Sequence, residues 1–338
     1  MRCSKLYPKD FLGASSEALR QDVAPPEWHV YTDTPGSAVC YENGIVGFDN
    51  TNVIVHARSR RAQIPEHVGP LSILFSVNGS QIFEIDKARY ALDDNVYLVH
   101  NLQQSVSGSI ESETEVDSFT IGFWPGFAED ALRSLVTPAD RLLDEPRASK
   151  RQPVHFFTRT YPHDRLVSPL LFTLYHAMGQ PWITHSWLEE QNHRLVERLL
   201  LAHREIGREI EQLPAARPST RVETYQRLHR ARDFMRASLH EPIDLAQIAE
   251  VAWFSPHHFL RQFKLAFHET PHQYLTRLRL QRAQWLLLKT DMPVTDVCLD
   301  VGFESLGSFS WLFRRKFGVS PEKFRLRERA APSWSLAA

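Results

Sequence analysis

Two segments near the C-terminus repeat one helical pattern at a spacing of fifty residues. Residues 255–267 read SPHHFLRQFKLAF, and residues 305–317 read SLGSFSWLFRRKF. At this spacing the aromatic residues and the flanking prolines coincide: Phe259 with Phe309, Phe263 with Phe313, Phe267 with Phe317, Thr270-Pro271 with Ser320-Pro321, Tyr274 with Phe324, and Trp253 with Phe303. Phenylalanines four residues apart lie on one side of a helix and favour its burial. The C-terminal part of the chain is therefore constrained to contain two similar helical units.

The outward side of each repeated helix is more basic than its buried side. When the phenylalanines face inward, the first helix presents His257, Arg261 and Lys264, and the second presents Gly307, Trp311 and Arg314. Each is preceded by a short helix and a turn, in units spanning 244–267 and 294–317. This is the pattern of a helix-turn-helix, whose second helix enters the major groove. An ordinary helical bundle with a solvated basic face is the alternative.

The charge distribution agrees with a nucleic-acid-binding module. The whole chain has 39 Lys+Arg and 40 Asp+Glu, but residues 221–327 contain 17 basic and 11 acidic residues, a net of +6. The remainder has 39 − 17 = 22 basic and 40 − 11 = 29 acidic residues, a net of −7. A basic module for a polyanion joined to an acidic module is indicated.

The N-terminal part has the composition of a β domain. Short apolar runs at 53–57, 71–77, 81–85, 95–99 and 119–123 are separated by turn residues, which predicts a barrel or sandwich. Asn78-Gly79 predicts a hairpin between 71–77 and 81–85. Residues 164–213 have helical spacing that Pro181 interrupts, and 214–220 contains two prolines typical of a linker. We therefore expect an α+β protein with two domains: a β domain over 1–163, a helical segment over 164–213, a linker over 214–220, an all-α domain over 221–327 with a connecting helix at 271–289, and a disordered tail over 328–338.

Several classes of protein are disfavoured by composition. No apolar run approaches the roughly 20 residues that span a bilayer, and residues 1–12 lack the apolar core of a signal peptide. Cys3, Cys40 and Cys298 are odd in number and far apart, so they predict neither a disulfide framework nor a zinc cluster. We expect a cytoplasmic protein that has no membrane partner and needs no cofactor.

The C-terminal motifs resemble those of AraC/XylS-type transcriptional regulators. The resemblance covers residues 221–327 and depends on the motif around Asp244, Ser255 and Arg261 and on the run from Gly302 to Arg325. It implies two helix-turn-helix units, joined by a rigid helix, that enter successive major grooves about 34 Å apart. It also implies binding near promoters, contact with RNA polymerase and, usually, activation. The N-terminal half resembles the cupin-like effector or dimerisation domain common in this family.

The chain departs from the family pattern at positions that bear on recognition. The second recognition helix has Trp311 where Arg is frequent, and Leu306 and Gly307 where polar residues are frequent. Trp cannot make a bidentate base contact, although it can pack on thymine methyls or sugars, so we expect fewer hydrogen-bonded base contacts there. His268 replaces a common glycine, which predicts a differently shaped turn. The candidate DNA-contacting residues are Ser255, His257, His258, Arg261, Gln262 and Lys264 in the first unit, and Ser305, Leu306, Gly307, Ser308, Trp311, Arg314 and Arg315 in the second.

The N-terminal half lacks the histidine pattern of a metal-binding cupin. His56, His67 and His100 stand singly, and Gln103-Gln104 occupies the region where a later histidine ligand is often found, so we expect no metal site. The barrel could enclose a small ligand, and aromatic residues at strand spacing could line it: Trp28, Phe75, Phe83, Tyr97 and Phe119. The alternative is that they are plain core. The helices of 164–213 are the expected dimer surface.

Three functional interpretations remain open from the sequence. The first is a homodimeric, ligand-responsive transcription regulator that binds promoter DNA and is an activator rather than an enzyme. The second is an effector-independent regulator or architectural DNA protein whose N-terminal half only dimerises. The third is an enzyme, either a metal cupin or a DNA-repair methyl-transfer protein, fused to a DNA-binding module. The absence of a metal-ligand pattern and of a cysteine cluster in the sequence argues against the third.

Overall fold

The computed structural model describes residues 27–33, 39–42, 45–48, 51–138, 153–213 and 217–330. The chain divides into two units, Met1–Val222 and Glu223–Ala338. The first unit contains a sheet with helices, and the described residues of the second unit form helices joined by turns. This confirms the predicted mixture of an N-terminal sheet and a C-terminal helical part. None of the helices in these ranges is long and apolar enough to cross a membrane.

Within the described ranges, the first unit is built on one ten-stranded sheet. Its strands are β1 (Glu27–Thr32), β2 (Val39–Glu42), β3 (Ile45–Phe48), β4 (Val53–Val68), β5 (Leu71–Val77), β6 (Gln81–Ile85), β7 (Ala88–Leu92), β8 (Val96–His100), β9 (Ser105–Phe123) and β10 (Arg159–Pro162). The main strand order is β10-β8-β5-β9-β4-β3-β2, with β1 paired to β4, and β6 paired to β7 and β9. All described pairs are antiparallel except β3 with β4.

The long strand β9 pairs with two different strands along one of its edges. Its second half pairs with β5, from Val77 opposite Asp117 onward, and its first half pairs with β6, where Ile82 lies opposite Ser109. Between the two halves the register with β4 shifts, so that β9 contributes extra residues. Such a bulge bends a strand and lets its halves belong to different parts of a sheet.

The predicted hairpin between 71–77 and 81–85 is wrong. Both strands form with the predicted bounds, but β6 pairs with β7 rather than with β5. The hairpin turn lies at Asp86 and Lys87, which both adopt positive φ values of 48° and 68° as a two-residue hairpin loop requires. The Asn78-Gly79 turn instead connects β5, which pairs with the second half of β9, to β6, which pairs with the first half. The Thr114 hydroxyl donates to the Asn78 carbonyl at 3.1 Å.

The two faces of the sheet bury different sets of side chains, because successive residues of a strand point to opposite faces. One face forms an apolar cluster, here called the inner cluster, whose buried members are Leu74, Phe83, Ile85, Tyr90, Leu92, Val96, Leu98 and Val106. The other face carries a cross-strand row of rings. Phe75 lies between Tyr97 on β8 and Phe119 on β9, and His56 on β4 lies opposite Phe119.

Helices cover the aromatic row. The first unit contains α1 (Phe127–Val136), α2 (Ser168–Ala177) and α3 (His185–Glu211), and the break between α2 and α3 contains Pro181 as predicted. The rings of Phe172 and Tyr175 on α2 lie 6.2 and 6.3 Å from the Phe75 ring. A buried polar contact also holds α3, because Asn192 donates to the Asp33 carboxylate at 3.1 Å.

The second unit is a series of closely spaced helices. They are α4 (Pro218–Ala237), α5 (Leu245–Val251), α6 (Pro256–Phe267), α7 (Pro271–Lys289), α8 (Val294–Asp300), α9 (Leu306–Phe317) and α10 (Pro321–Ala330). Helix α4 begins inside the predicted linker, of which residues 214–216 lie outside the described residues. The predicted disordered tail is wrong at its start, because α10 continues through residue 330; residues 331–338 lie outside the described part of the chain.

Helix α7 belongs to two separate apolar cores. Its first half contributes Tyr274, Leu275 and Leu278 to a cluster with Phe259 and Phe263. Its second half contributes buried side chains to a cluster with Phe309 and Phe313, namely Leu280, Ala283, Leu286 and Leu287. The bounds of α7 agree with the predicted connecting helix at 271–289. One continuous helix therefore contributes side chains to both cores.

Candidate nucleic-acid interface

The first helix-turn-helix begins with a capping box. The Asp244 carboxylate accepts from the Gln247 backbone N–H at 2.8 Å, and the Gln247 side chain accepts from the Asp244 N–H at 2.8 Å. This reciprocal pair satisfies backbone donors that the first turn of α5 leaves free. Helix α6 then starts after Ser255, the predicted N-cap, with Pro256 at its first position, although the Ser255 side chain caps no described backbone N–H.

The second helix-turn-helix repeats this arrangement with different details. Pro293 precedes α8, and the Ser305 hydroxyl accepts from the Ser308 backbone N–H at the start of α9. The Phe263 ring lies 5.4 Å from Phe259 and 4.6 Å from Phe267, and the copied Phe313 ring lies 5.7 Å from Phe309 and 4.5 Å from Phe317. The duplicated phenylalanines therefore form the predicted buried sides.

The turns of the two units differ by one residue, so the predicted pairing of Trp253 with Phe303 is wrong. Backbone hydrogen bonds run from Phe254 N to Ala249 O and from Phe303 N to Cys298 O, a spacing of 49 residues rather than 50. Trp253 therefore corresponds to Gly302, and both adopt the left-handed conformation, with φ of 53° and 82°. The second unit regains register through the extra residue Glu304.

The helix ends have the same shape in both units, which overturns the predicted difference at His268. His268 has φ 58° and ψ 13°, and Gly318 at the copied position has φ 81° and ψ −16°. Their N–H groups donate to the carbonyls of Lys264 and Arg314 at 3.0 and 2.8 Å. Histidine occupies the left-handed region more readily than most residues, so the fold retains the turn without a glycine.

The predicted DNA-contacting residues lie on the outward sides of α6 and α9 or, for Ser255 and Ser305, directly before these helices. Apart from the half-buried Gln262, whose amide lies 3.1 Å from the His258 ring, every one is exposed: Ser255, His257, His258, Arg261 and Lys264 in the first unit, and Ser305, Leu306, Gly307, Ser308, Trp311, Arg314 and Arg315 in the second. The two helices thus present the residue types that bind guanine edges and phosphates.

The two outward faces have different chemistry. On α6, Arg261 and Lys264 are exposed together with the apolar Leu265, whereas α9 exposes 60% of Trp311 and 43% of Leu306. The Arg315 guanidinium lies 5.3 Å from the centre of the Trp311 ring. One turn earlier, Gly307 leaves open space, since the nearest described atom to a Cβ there would be the Ser305 hydroxyl at 3.7 Å.

Sequence reasoning missed Trp253 as a residue of this surface. Its side chain is 64% exposed in the turn before α6, and the Arg230 guanidinium lies 4.5 Å from its ring centre. Aligning Phe254 with Phe303 would have placed Trp253 opposite a glycine and drawn attention to it. The repeated phenylalanines of the second helices concealed this shift.

In the N-terminal unit, the predicted effector-binding residues whose side chains the structure describes lie on two faces of the sheet. Phe75, Tyr97 and Phe119 are fully buried in the aromatic row, and the Phe75 and Phe119 rings lie 4.9 Å apart. Phe83 points to the opposite face and belongs to the inner cluster. The strand that contains Trp28 is described, but its side chain lies outside the described residues.

The three histidines weighed as metal ligands in the N-terminal unit each have a different protein partner. His56 lies 2.8 Å from the Asp117 carboxylate, the His67 ring lies 2.9 Å from the Pro65 carbonyl, and His100 is buried near the Asn101 carbonyl. Burial lowers the pKa of His100 to about 4. Within the described ranges, no group of three His, Cys, Asp or Glu side chains is arranged to hold a metal ion.

Asp117 is the most strongly perturbed carboxyl beside the aromatic row. Its burial opposes ionisation, but hydrogen bonds from His56, Arg58 and Asn78 outweigh this and lower its pKa to about 2. The Arg58 Nε donates to Asp117 at 2.9 Å while half of the arginine side chain stays exposed. The carboxylate therefore joins β4, β9 and the 78–80 turn as a satisfied structural group.

Comparison with known proteins places the C-terminal unit. A family described as a helix-turn-helix domain matches residues 248–327. The chain is 31% identical over 87 residues to the regulatory protein SoxS of Salmonella typhimurium, covering 26% of this chain and 81% of that protein. It is 34% identical over 93 residues to the probable transcriptional regulator LumQ of Photobacterium leiognathi, covering 28% of this chain and 38% of LumQ. The crystal structure of the DNA-binding domain of AdpA in complex with a target DNA has 33% identity, covers 30% of this chain and 93% of that chain, and has a TM-score of 0.30.

Two helix-turn-helix units fixed to one connecting helix define a double helix-turn-helix protein. The match to SoxS covers 81% of that protein at 31% identity, so the family of the chain can also be assigned. The chain belongs to the AraC/XylS family of transcriptional regulators, as the sequence motifs indicated. It spans little more than a third of the length of LumQ.

Proposed function

We propose that this protein is a sequence-specific DNA-binding transcriptional regulator whose helices α6 and α9 enter successive major grooves. The observation that carries the proposal is the pair of outward faces, with Arg261 on one and Arg314 on the other, fixed to a single helix. Helix α7 has 19 residues, so it is about 28 Å long at 1.5 Å per residue. This length is of the order of the 34 Å helical turn that separates successive grooves.

The two units are proposed to divide the work of recognition. Arg261 and His257 would supply most of the base readout, because a guanidinium can bond the O6 and N7 of guanine together. Arg314 and Arg315 on α9 would bind phosphates, which fixes position without reading sequence. The inequality is supported by the exposed Trp311 and Leu306. Leucine has no polar atom and the tryptophan indole has a single N–H donor, so neither can make the bidentate contact that Arg or Gln makes at a base edge.

Selection of binding sites from a random DNA pool by the full-length protein tests this function. The expected product is a motif with two conserved blocks whose centres are about 10 base pairs apart, with more information in one block. Binding should weaken steeply with salt because phosphates are neutralised. A pool that shows no enrichment, with equal affinity for all duplexes, would reject sequence-specific regulation and favour an architectural DNA protein.

A second proposal concerns a small-molecule effector in the cupin-like N-terminal unit. Gln81 is 3% exposed and Ser76 is 1% exposed. Both amide atoms of Gln81 and the Ser76 hydroxyl have no hydrogen-bond partner within the part of the chain that the structure describes. Buried polar groups are nearly always paired, so unpaired ones ask for a water, an ion or a ligand.

These two polar side chains face the same region. Ser76 follows Leu74 by two residues on β5, and Gln81 precedes Phe83 by two on β6, while Leu74 and Phe83 are both in the inner cluster. Because only residues 78–80 separate the strands, both polar groups lie at the turn end of that cluster. We propose that an uncharged small molecule with a donor and an acceptor binds there, instead of along the aromatic row.

The substitution Gln81→Met tests the effector site. Methionine has a similar shape and no unpaired amide, so stability should stay the same or rise while ligand response is lost. A thermal-shift screen of uncharged metabolites against the full-length protein supplies the probes, and Phe75→Ala is the contrasting core variant. If no uncharged probe shifts the wild-type protein, the effector-independent regulator is favoured.

The remaining parts of the proposed function follow from the family. We propose that the protein is a cytoplasmic homodimer, that the helices of residues 164–213 form the dimer surface, and that at promoters it contacts RNA polymerase and activates transcription. No enzymatic role is proposed. Sedimentation of the full-length protein tests the dimer, and transcription from a selected site tests the sign of regulation.

A further inference from the structure

The turn of the first helix-turn-helix contains a large side chain where the second unit has a glycine. Trp253 has φ 53° and corresponds to Gly302 at φ 82°. A bulky side chain is strongly disfavoured in the left-handed region, whereas glycine enters it freely. Burial of the indole does not offset the cost of this backbone conformation, since 64% of Trp253 is exposed. Backbone strain of this kind tends to lie at functional sites.

Two arginines of α4 accompany the exposed indole. The Arg230 guanidinium lies 4.5 Å from the Trp253 ring centre, and that of Arg227 lies 5.7 Å from it. Arg227 also donates to the Trp253 carbonyl at 3.3 Å and pairs with Glu223. Cation–π contacts orient the ring, so the turn presents a flat apolar surface beside positive charge.

The position of this patch relative to α6 defines what can reach it. Trp253 lies three residues before Pro256, the first residue of α6. In a helix-turn-helix, the start of the second helix meets base edges, so the preceding turn lies at the rim of the groove beside the sugar-phosphate chain. A deoxyribose is largely apolar, and a phosphate is anionic, which matches an indole next to two guanidinium groups.

We infer that Trp253 and Arg230 form a DNA-backbone contact that belongs to the first helix-turn-helix alone. The indole packs on a deoxyribose and Arg230 binds the adjoining phosphate, while Arg227, which is held by Glu223 and the Trp253 carbonyl, keeps the turn in place. This inference rests on the proposed function. It explains why the sequence keeps a strained tryptophan in a turn that folds with glycine in the second unit.

The test compares Trp253→Gly with His268→Gly in the full-length protein. Both substitutions place glycine at a positive φ, so both should raise the melting temperature. Only Trp253→Gly should weaken DNA binding, about three- to tenfold on a selected site and on random duplex alike, because backbone contacts carry no sequence information. His268→Gly should leave affinity unchanged, since His268 ends α6 away from the turn.

The variant Arg230→Gln provides a second readout that does not depend on the strained turn. It should weaken binding on all sequences and reduce the slope of log affinity against log salt by about one. Equal affinity of wild-type and Trp253→Gly protein for every duplex would overturn the inference. If that variant binds DNA normally but loses transcription, the patch contacts an acidic protein surface instead, which also overturns it. Failure of the wild-type protein to bind any DNA would reject the proposed function itself.

Discussion

His268 and Gly318 end helices α6 and α9 with the same left-handed backbone, although only one of them is a glycine. Their φ values are 58° and 81°, and each N–H donates to the carbonyl four residues earlier. A side chain with a Cβ costs roughly 1–2 kcal/mol in this region. The first helix-turn-helix therefore carries backbone strain on both sides of α6, at Trp253 in the turn before it and at His268 directly after it.

Replacing His268 with glycine should stabilise the helical C-terminal unit by about 1 kcal/mol. Glycine relieves the penalty of the left-handed backbone, and its greater entropy in the unfolded chain offsets only part of that gain. Urea titrations of the full-length protein, followed on the transition of the helical unit, measure the change. Gly318→Ala is the matched control and should cost a similar amount, since no described atom lies within 4 Å of the added Cβ. A loss of stability in His268→Gly would be inconsistent with strain at that turn.

Gly302→Ala should destabilise the protein more than Gly318→Ala, although both glycines have φ near 80°. The added Cβ at Gly302 would lie 2.8 Å from the Leu239 carbonyl oxygen and 2.9 Å from Arg279 Nη2. Arg279 is itself held by the carbonyls of Leu239 and Glu241 at 2.7 and 2.8 Å, so it has little freedom to move. We expect an extra cost of about 1–3 kcal/mol. Equal costs for the two substitutions would show that the contact region yields easily.

The exposed indole of Trp311 should read thymine methyl groups in the block bound by α9. Replacing thymine with uracil removes only the 5-methyl group, whose burial is worth about 0.8 kcal/mol, or roughly a fourfold change in affinity. Wild-type protein should show this loss at one or two positions of that block, and Trp311→Ala should show none. If both proteins respond alike to uracil, Trp311 packs against its own unit or a sugar.

The free energy of unfolding of the N-terminal unit should fall as the pH decreases from 6.5 towards 4, because His100 is buried in its uncharged form. Its folded pKa is lowered to about 4 by burial, below the usual value of 6.5. The unfolded chain therefore binds the proton first, and the stabilisation present above pH 6.5 is lost progressively until the folded state also protonates near pH 4. The loss is of the order of 3 kcal/mol. His100→Gln should remove this share of the pH dependence, and an unchanged profile would contradict the assignment.

The local parts of this fold were readable from sequence, and the non-local parts were not. The bounds of α7 and of β5 and β6 are set by caps, prolines and turn residues that lie beside them, so local patterns suffice. The partner of β6 is set by the length of β9 and its bulge, which no local pattern announces. The local pattern therefore predicts a hairpin at Asn78-Gly79, whereas this turn connects two strands that pair with different halves of β9.

The candidate site shows the same limit. Exposure of Arg261 and Arg314 follows from the phenylalanine spacing, and the structure agrees. The place of Trp253 depends on a one-residue difference in turn length that the phenylalanines hide. The separation of Phe83 from Phe75 depends on which face each strand buries, and alternation along single strands does not say how the faces of different strands meet.

Binding-site selection with Arg261→Ala and Arg315→Ala tests the central claim most directly. Wild-type protein should select two blocks about 10 base pairs apart. Arg261→Ala should lose about 1–3 kcal/mol on the selected site and relax one block only, whereas Arg315→Ala should weaken binding on all duplexes and lower the salt slope by about one. If Arg261→Ala weakens selected and random DNA equally and leaves both blocks intact, α6 is not the principal reader and the account fails.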